Sequence, residues 1–152
     1  NVNAIRVQLL DLLSGLDYCL DWKPDESDWS AREVVYHLLD TPPGGAPFVV
    51  RGIVAGEVAE YEVVSGLTNM TSDRSVFDME QVTTSIVDYF EQMSEVLSSV
   101  NEPELDEKTV LVHFETGAAD ENQTLEHFVT AFDRHWRDHL SQIKDLRDAL
   151  GF

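Results

Sequence analysis

Histidines are the residues of this sequence whose type and spacing could do chemistry. His135 and His139 stand four positions apart, so on a helix both would project from one face. That face is otherwise apolar, since Phe132 precedes the pair and Ile143 follows it. Two imidazoles at this spacing on a helix can bind one divalent metal ion, as they do in helical zinc enzymes.

A third histidine occupies an equivalent position in an earlier segment. His37 lies between Val34 and Thr41 on the inward stripe of a predicted helix. A third imidazole from a second helix would complete a three-histidine set with a position left open for water or substrate. The same pattern also fits histidines that are hydrogen-bonded core residues. The spacing alone leaves both interpretations open, and it does not show that His37 reaches the other two.

The two remaining histidines fit this site less well. His127 precedes His135 by eight positions, which places it about 80° around the helix, so we exclude it from the predicted site. His113 falls outside the predicted helices. We expect it to be an exposed residue of a loop or strand.

Two polar residues are weak candidates for a catalytic role. Glu33 lies one turn before His37 on the same helix face and could accept a hydrogen bond or a proton there. A structural role in the cap of that helix explains Glu33 fully, and we favour it. Gln142 follows His135 by seven positions, about 20° from it around the helix, where it could contact a metal ligand.

Two segments in the first half of the chain have the periodicity of amphipathic helices. The first is predicted from about Val2 to Leu20. The second begins at Ser30, which forms the capping-box pattern S-x-x-E with Glu33. Residues 41–45, Thr-Pro-Pro-Gly-Gly, must interrupt it, because proline cannot donate a backbone hydrogen bond. A second helical piece is predicted to resume near Pro47 and to continue to about Val58.

The second half of the chain carries two longer helical patterns. One is predicted from about Asp78 to Val100, and the other from Asn122 or Thr124 to Leu150, with Gly151 as the stop signal. Between them, Thr109 to Glu115 alternates weakly and predicts a short strand, and Gly117 to Asn122 is predicted as a loop. Four amphipathic arms with moderate connections predict an all-α four-helix bundle whose second helix is broken. Without an internal linker, residues 1–152 are expected to form one domain.

Composition limits the kinds of partner. The chain has 29 acidic against 10 basic residues, a net charge of −19, and its basic residues form no patch. This argues against binding nucleic acid or an anionic membrane, because both need clustered Lys and Arg. The single cysteine cannot form an internal disulfide, and no apolar run approaches the length of a membrane span. We therefore expect a cytoplasmic protein.

Two stretches resemble motifs of a known superfamily. Residues 29–38, Trp-Ser-Ala-Arg-Glu-Val-Val-Tyr-His-Leu, are similar to the second-helix motif of DinB-like proteins. Residues 135–143, His-Trp-Arg-Asp-His-Leu-Ser-Gln-Ile, are similar to the fourth-helix motif, a histidine pair followed by Gln-Ile. The order of the helices and the long third helix agree as well, so the resemblance covers nearly the whole chain.

The resemblance implies more than the residues alone. It implies an up-down-down-up four-helix bundle, a homodimer, and a metal held by His37, His135 and His139. Three imidazoles suit Zn, Ni or Fe, and also Cu. Some relatives are transferases or isomerases that use a low-molecular-weight thiol as cosubstrate. The leading hypothesis is therefore a metal-dependent enzyme of thiol-dependent S-transferase or hydrolase type, acting on an unidentified small molecule. The sequence departs from the family at residues 42–47, where relatives continue more smoothly.

Two alternatives belong to other functional classes. The chain could be a non-catalytic bundle that binds a structural metal, or a partner through an exposed helix face. It could also be an acidic homodimer without any ligand. A closed structural metal site needs four protein ligands, and the inner stripes offer no obvious fourth, which favours an open site.

Overall fold

The structure, a computed structural model, describes residues 2–152. Over these residues the protein is mostly helical, with a short 3-10 turn at Arg74–Val76 and one three-stranded sheet. The helices are α1 (Val2–Leu13), α2 (Ala31–Leu39), α3 (Ala46–Ala55), α4 (Met79–Ser99), α5 (Glu102–Glu107) and α6 (Leu125–Leu150). The strands are β1 (Glu60–Val63), β2 (Thr109–Phe114) and β3 (Glu121–Thr124).

The α2 helix begins where its capping box predicts. The Ser30 hydroxyl accepts a hydrogen bond from the Glu33 backbone N–H at 3.2 Å, and the Glu33 carboxylate accepts one from the Ser30 N–H at 2.9 Å. The helix stops at Leu39, and α3 resumes at Ala46 after the proline- and glycine-rich break. The prediction of a broken second helix is confirmed, although its second piece ends before Val58.

The two long helices also follow their local signals. Asp78 caps α4 and forms a capping box with Gln81. The Thr124 hydroxyl accepts from the His127 N–H at 3.2 Å and caps α6. Gly151 ends α6 with a left-handed φ of 87°, which glycine adopts without steric cost.

The first helix is shorter than predicted. It ends at Leu13, and Gly15 takes a φ of 84°, so the chain turns instead of continuing the helix. Leu16 and Leu20 are nevertheless buried, at 1% and 2% exposure. A series of turns therefore buries the same leucines that the helical periodicity had selected.

The small sheet corrects the prediction of an all-α protein. The strand predicted from Thr109 is confirmed as β2, which pairs in parallel with β1 and antiparallel with β3. The strand β1 was not predicted, and the first two residues of β3, Glu121 and Asn122, were predicted as part of a loop. Both strands have four residues, too few to show a clear alternation. The short α5 helix was missed for the same reason.

Packing of the helices brings α2 and α6 face to face. The α1 helix contacts α4 and α6, α2 contacts α6 and α4, and α3 packs mainly on α4. Trp136 lies fully buried in α6 with Phe90 of α4 against it, their ring centroids 4.7 Å apart. The sheet lies beside the first turns of α6, where Tyr61 of β1 meets Phe128. Among residues 2–152, no helix combines the length and apolarity that crossing a membrane would require.

Candidate metal centre

Three histidines converge between α2 and α6. His37 lies in the last turn of α2, and His135 and His139 lie on successive turns of α6. The Nε2 atom of His135 is 3.1 Å from Nε2 of His37 and 3.1 Å from Nε2 of His139. All three possible ligand atoms lie within 4.8 Å of one another. The expectation that these imidazoles meet in one place is therefore confirmed.

Hydrogen bonds on the far side of two rings define their tautomers. The Nδ1 atom of His37 lies 2.5 Å from the carbonyl oxygen of Leu67. The Nδ1 atom of His139 lies 2.7 Å from the side-chain oxygen of Gln142. Both oxygens only accept, so each Nδ1 carries the proton and donates it. The Nε2 atoms of His37 and His139 consequently present lone pairs toward His135.

Without a metal ion, one of the three Nε2 atoms has no hydrogen-bond partner in the cluster. A neutral His135 can donate a single Nε2–H, and it has two lone pairs facing it at the same distance. A divalent cation shared by the three Nε2 atoms would satisfy them all. Tetrahedral zinc with Zn–N bonds of about 2.0–2.1 Å separates its nitrogen ligands by roughly 3.3 Å. Two of the separations, at 3.1 Å, are close to that value, and the third is no more than 4.8 Å, so the rings need only a small adjustment to share a metal ion.

Burial keeps two of the imidazoles, those of His135 and His37, available as neutral ligands. Desolvation, together with the neighbouring His139 and His37, lowers the pKa of His135 to about 4, against an opposing effect of Asp138. Desolvation also lowers the pKa of His37, more than the Leu67 carbonyl raises it. Protons therefore compete weakly with a metal at neutral pH.

Trp29 covers one side of the histidine cluster. Its ring is stacked on His139, with the planes 6° apart and the centroids at 6.2 Å, and its centroid lies 4.8 Å from that of His37. Trp29 directly precedes the Ser30 cap, so the start of α2 places the indole over the imidazoles. The half-buried ring shields the cluster from water on this side.

A loop after β1 supports His37 from behind. Asn69 has a left-handed φ of 55°, and its side-chain amide donates to the backbone carbonyl of Tyr36 at 3.3 Å and to the Thr41 hydroxyl at 3.3 Å. These bonds hold the loop against the end of α2 and so present the Leu67 carbonyl to His37. Sequence reasoning missed this contact, because a backbone carbonyl has no residue-type signal.

The two weak catalytic candidates take different places. Glu33 is engaged in the α2 capping box and forms an ion pair with Lys23 at 2.8 Å. Partial burial raises the pKa of the Glu33 carboxyl, but the contacts with Lys23 and Ser30 lower it by more. The net lowering makes Glu33 a poor base. Gln142 contacts His139 directly, as its position around the helix suggested.

An apolar cavity of about 190 Å³ opens beside His135. Its walls come from the end of α2 and the break after it, from β1 and the loop that follows, and from the first half of α6. The lining residues are 40–43, 61–64, Leu67, Phe128, Ala131, Phe132 and His135.

The other two histidines lie outside the cluster. His113 is on β2, where the sequence analysis allowed a strand, and its ring nitrogens contact Glu60 and Asp120. His127 is exposed in the first turn of α6.

Comparison with solved structures found the same fold in YjoA, a DinB-like protein from Bacillus subtilis. The match has a TM-score of 0.62 at 16% sequence identity and covers 99% of this chain and 86% of that one. No protein-family model and no curated protein matches the chain. The protein therefore has the fold of DinB-like proteins, and the resemblance seen in the two histidine motifs is confirmed at the level of the fold.

Proposed function

We propose that this protein is a divalent-metal-dependent enzyme of thiol-dependent S-transferase or hydrolase type, with His37, His135 and His139 as the metal ligands. The observation that carries the proposal is the convergence of three Nε2 atoms, two of them oriented by hydrogen bonds at Nδ1. Among residues 2–152, no fourth Asp, Glu, Cys or His joins this group. Structural zinc sites use four protein ligands, whereas catalytic sites use three and keep one position open.

The protein residues would divide the remaining work. A divalent ion held by three neutral imidazoles lowers the pKa of a bound water or thiol and so supplies a nucleophile near neutral pH. The Leu67 carbonyl and Gln142 orient two of the ligands, as hydrogen-bond partners of metal-bound histidines do. Trp29 limits access of water, and the cavity beside His135 offers space for a substrate next to the ligands.

The finer assignment of the fold belongs to the same proposal. We propose that α1, the α2–α3 pair, α4 and α6 form the four arms of a four-helix bundle, to which the sheet is an addition. The mutual contacts of α1, α2, α4 and α6 support this. Zn, Ni or Fe as the metal, a low-molecular-weight thiol as cosubstrate, a homodimer and a cytoplasmic location remain predictions from the sequence.

Elemental analysis of protein purified without a histidine tag tests the proposal. We expect close to one equivalent of a divalent metal per chain, either as purified or after incubation with Zn or Ni salts and desalting. The variant His135→Ala/His139→Ala should lose it. The matched control His113→Ala/His127→Ala also removes two histidines but leaves the cluster intact, and it should retain the metal.

Two outcomes would overturn the proposal. One is the absence of bound metal in the wild-type protein under all these conditions. The other is equal loss of metal in both double variants, since that would locate binding outside the cluster. If metal binds as expected, assays of thiol transfer and hydrolysis on the loaded protein follow.

A further inference from the structure

The cavity beside His135 is the feature whose walls say most about a substrate. Phe128 and Phe132 are 4% and 7% exposed, so the core holds them in place. Tyr61 of β1 meets Phe128 edge to face, with the ring planes at 90° and the centroids 5.7 Å apart. Val63 and Leu67 line the same space. The cavity is thus preformed and mainly apolar, as binding sites for small molecules commonly are.

We propose that this cavity binds the apolar part of an uncharged or cationic substrate, an alkyl or aryl group of about six to eight carbons, whose reactive group lies at the three histidines. An apolar cavity of about 150 Å³ takes up one benzene molecule. A cavity of about 190 Å³ therefore takes a group slightly larger than benzene. The position of the reactive group rests on the proposed function, whereas the apolar group rests on the cavity alone.

The charges around the cavity select against anions. Two carboxylates, of Asp40 and Glu62, lie among its lining residues, and no Lys or Arg does. Asp40 is paired with Arg74 at 3.2 Å, whereas Glu62 is exposed and has no ion-pair partner among residues 2–152. The net charge of −19 adds a repulsive field at longer range. A carboxylate or phosphate on the apolar group would therefore weaken binding.

Ala131 offers a way to fill the cavity without altering a histidine. It lies one helical turn before His135 on the same face of α6 and lines the cavity. A phenylalanine at this position would occupy the space proposed for the substrate. Thr130 is the neighbouring residue, exposed and outside the cavity lining. Thr130→Phe is thus a matched control, which adds a benzyl group to the same helix at a surface position.

Hydroxamates test the two parts of the proposal together, because they combine a metal-binding head with a chosen tail. We would measure binding of acetohydroxamate, hexanohydroxamate and the monohydroxamate of adipic acid to nickel-loaded protein by calorimetry. Each buried methylene tightens binding roughly two- to fourfold. Hexanohydroxamate should therefore bind at least about tenfold more tightly than acetohydroxamate to the wild type and to Thr130→Phe. In Ala131→Phe, hexanohydroxamate should bind less than about threefold more tightly than acetohydroxamate. On the wild type, the adipic compound should lose most of the affinity that hexanohydroxamate gains, because its terminal carboxylate is repelled.

Equal affinities of acetohydroxamate and hexanohydroxamate for the wild type would overturn the proposal. So would an affinity difference between the two compounds that is as large in Ala131→Phe as in the wild type. A second measurement separates this failure from failure of the metal site. Saturation-transfer NMR with 1-hexanol on metal-free protein should show binding to the wild type and not to Ala131→Phe. Hexanol binding in a protein that takes up no metal would overturn the proposed function and support the apolar site. Absence of hexanol binding would overturn the apolar site itself.

Discussion

The same side chain occupies two opposite environments in this protein. In the cluster between α2 and α6, His135 faces two other imidazoles, and burial lowers its pKa to about 4. On the sheet, His113 lies between two carboxylates, with Nε2 3.1 Å from Glu60 and Nδ1 3.0 Å from Asp120. Hydrogen bonds to these carboxylates raise the pKa of His113, and little burial opposes them.

The difference shows how the surroundings of an imidazole favour or disfavour its positive charge. At His113 the protonated imidazole is favoured, because two anions, Glu60 and Asp120, stabilise its positive charge. In the cluster, burial and the neighbouring imidazoles disfavour protonation of His135 and His37, and no carboxylate lies among the three histidines. Neutral imidazoles that converge without a carboxylate are the kind of ligand set that a divalent metal prefers.

The largest effect that separates the two sites is stabilisation by metal. A ligand that binds only the folded state, at a free concentration a thousand times its dissociation constant, raises the free energy of unfolding by about 4 kcal/mol. We expect Zn or Ni to raise the melting temperature of the wild type and of His113→Ala, and not that of His37→Ala. Thermal unfolding with and without metal measures this. Equal stabilisation of His37→Ala would mean that the cluster is not the binding site.

A smaller effect is expected from the hydrogen bond behind His139. Replacing Gln142 with Leu removes the oxygen that orients the ring and should weaken metal affinity by about 10- to 100-fold. Gln142→Glu keeps an acceptor and should retain affinity near that of the wild type. Quenching of tryptophan fluorescence by Ni or Cu provides the titration, because Trp29 is stacked on His139. Unchanged affinity in Gln142→Leu would remove this residue from the site.

The stability of the metal-free protein should fall as the pH decreases from about 6.5 toward 4. The folded-state pKa of His135 is about 4, below its ordinary value of 6.5, so in this range the unfolded chain binds more protons. Urea unfolding at several pH values, with a chelator present, measures the slope. His135→Asn should reduce the dependence of the free energy of unfolding on pH. Saturating metal should shift the decrease in stability to lower pH. An identical slope in His135→Asn would contradict the assignment.

The smallest effect is expected at His113, and its sign is opposite. The folded-state pKa of His113 lies above its ordinary value. Its contribution to the free energy of unfolding is therefore complete below about pH 6.5 and is lost as the pH rises through the raised pKa. His113→Ala should therefore lower the melting temperature slightly at pH 5.5 and hardly at pH 8.5. His127→Ala, at an exposed histidine outside both sites, is the control. A larger decrease in the melting temperature of His113→Ala at pH 8.5 than at pH 5.5 would contradict the predicted sign.

Elements with local signals were predictable from the sequence. The starts of α2, α4 and α6 rest on Ser30, Asp78 and Thr124, each of which caps a backbone N–H only three positions ahead. The proline and glycine break after α2 is equally local. In contrast, β1 pairs with β2, about 50 residues further along the chain, and no short window of sequence contains that pairing. The early end of α1 was missed because leucines buried by turns keep the spacing of a helix.

The sequence by itself determined that His135 and His139 share one face of a helix, because the period of the α-helix fixes the directions of side chains four positions apart. Only the tertiary structure decided that His37 reaches them, since that depends on how α2 packs on α6. It also decided that a carbonyl at Leu67 orients His37 and that strand β1 lines the cavity beside His135. Both depend on contacts between distant segments, in which the backbone takes part whatever its side chains are.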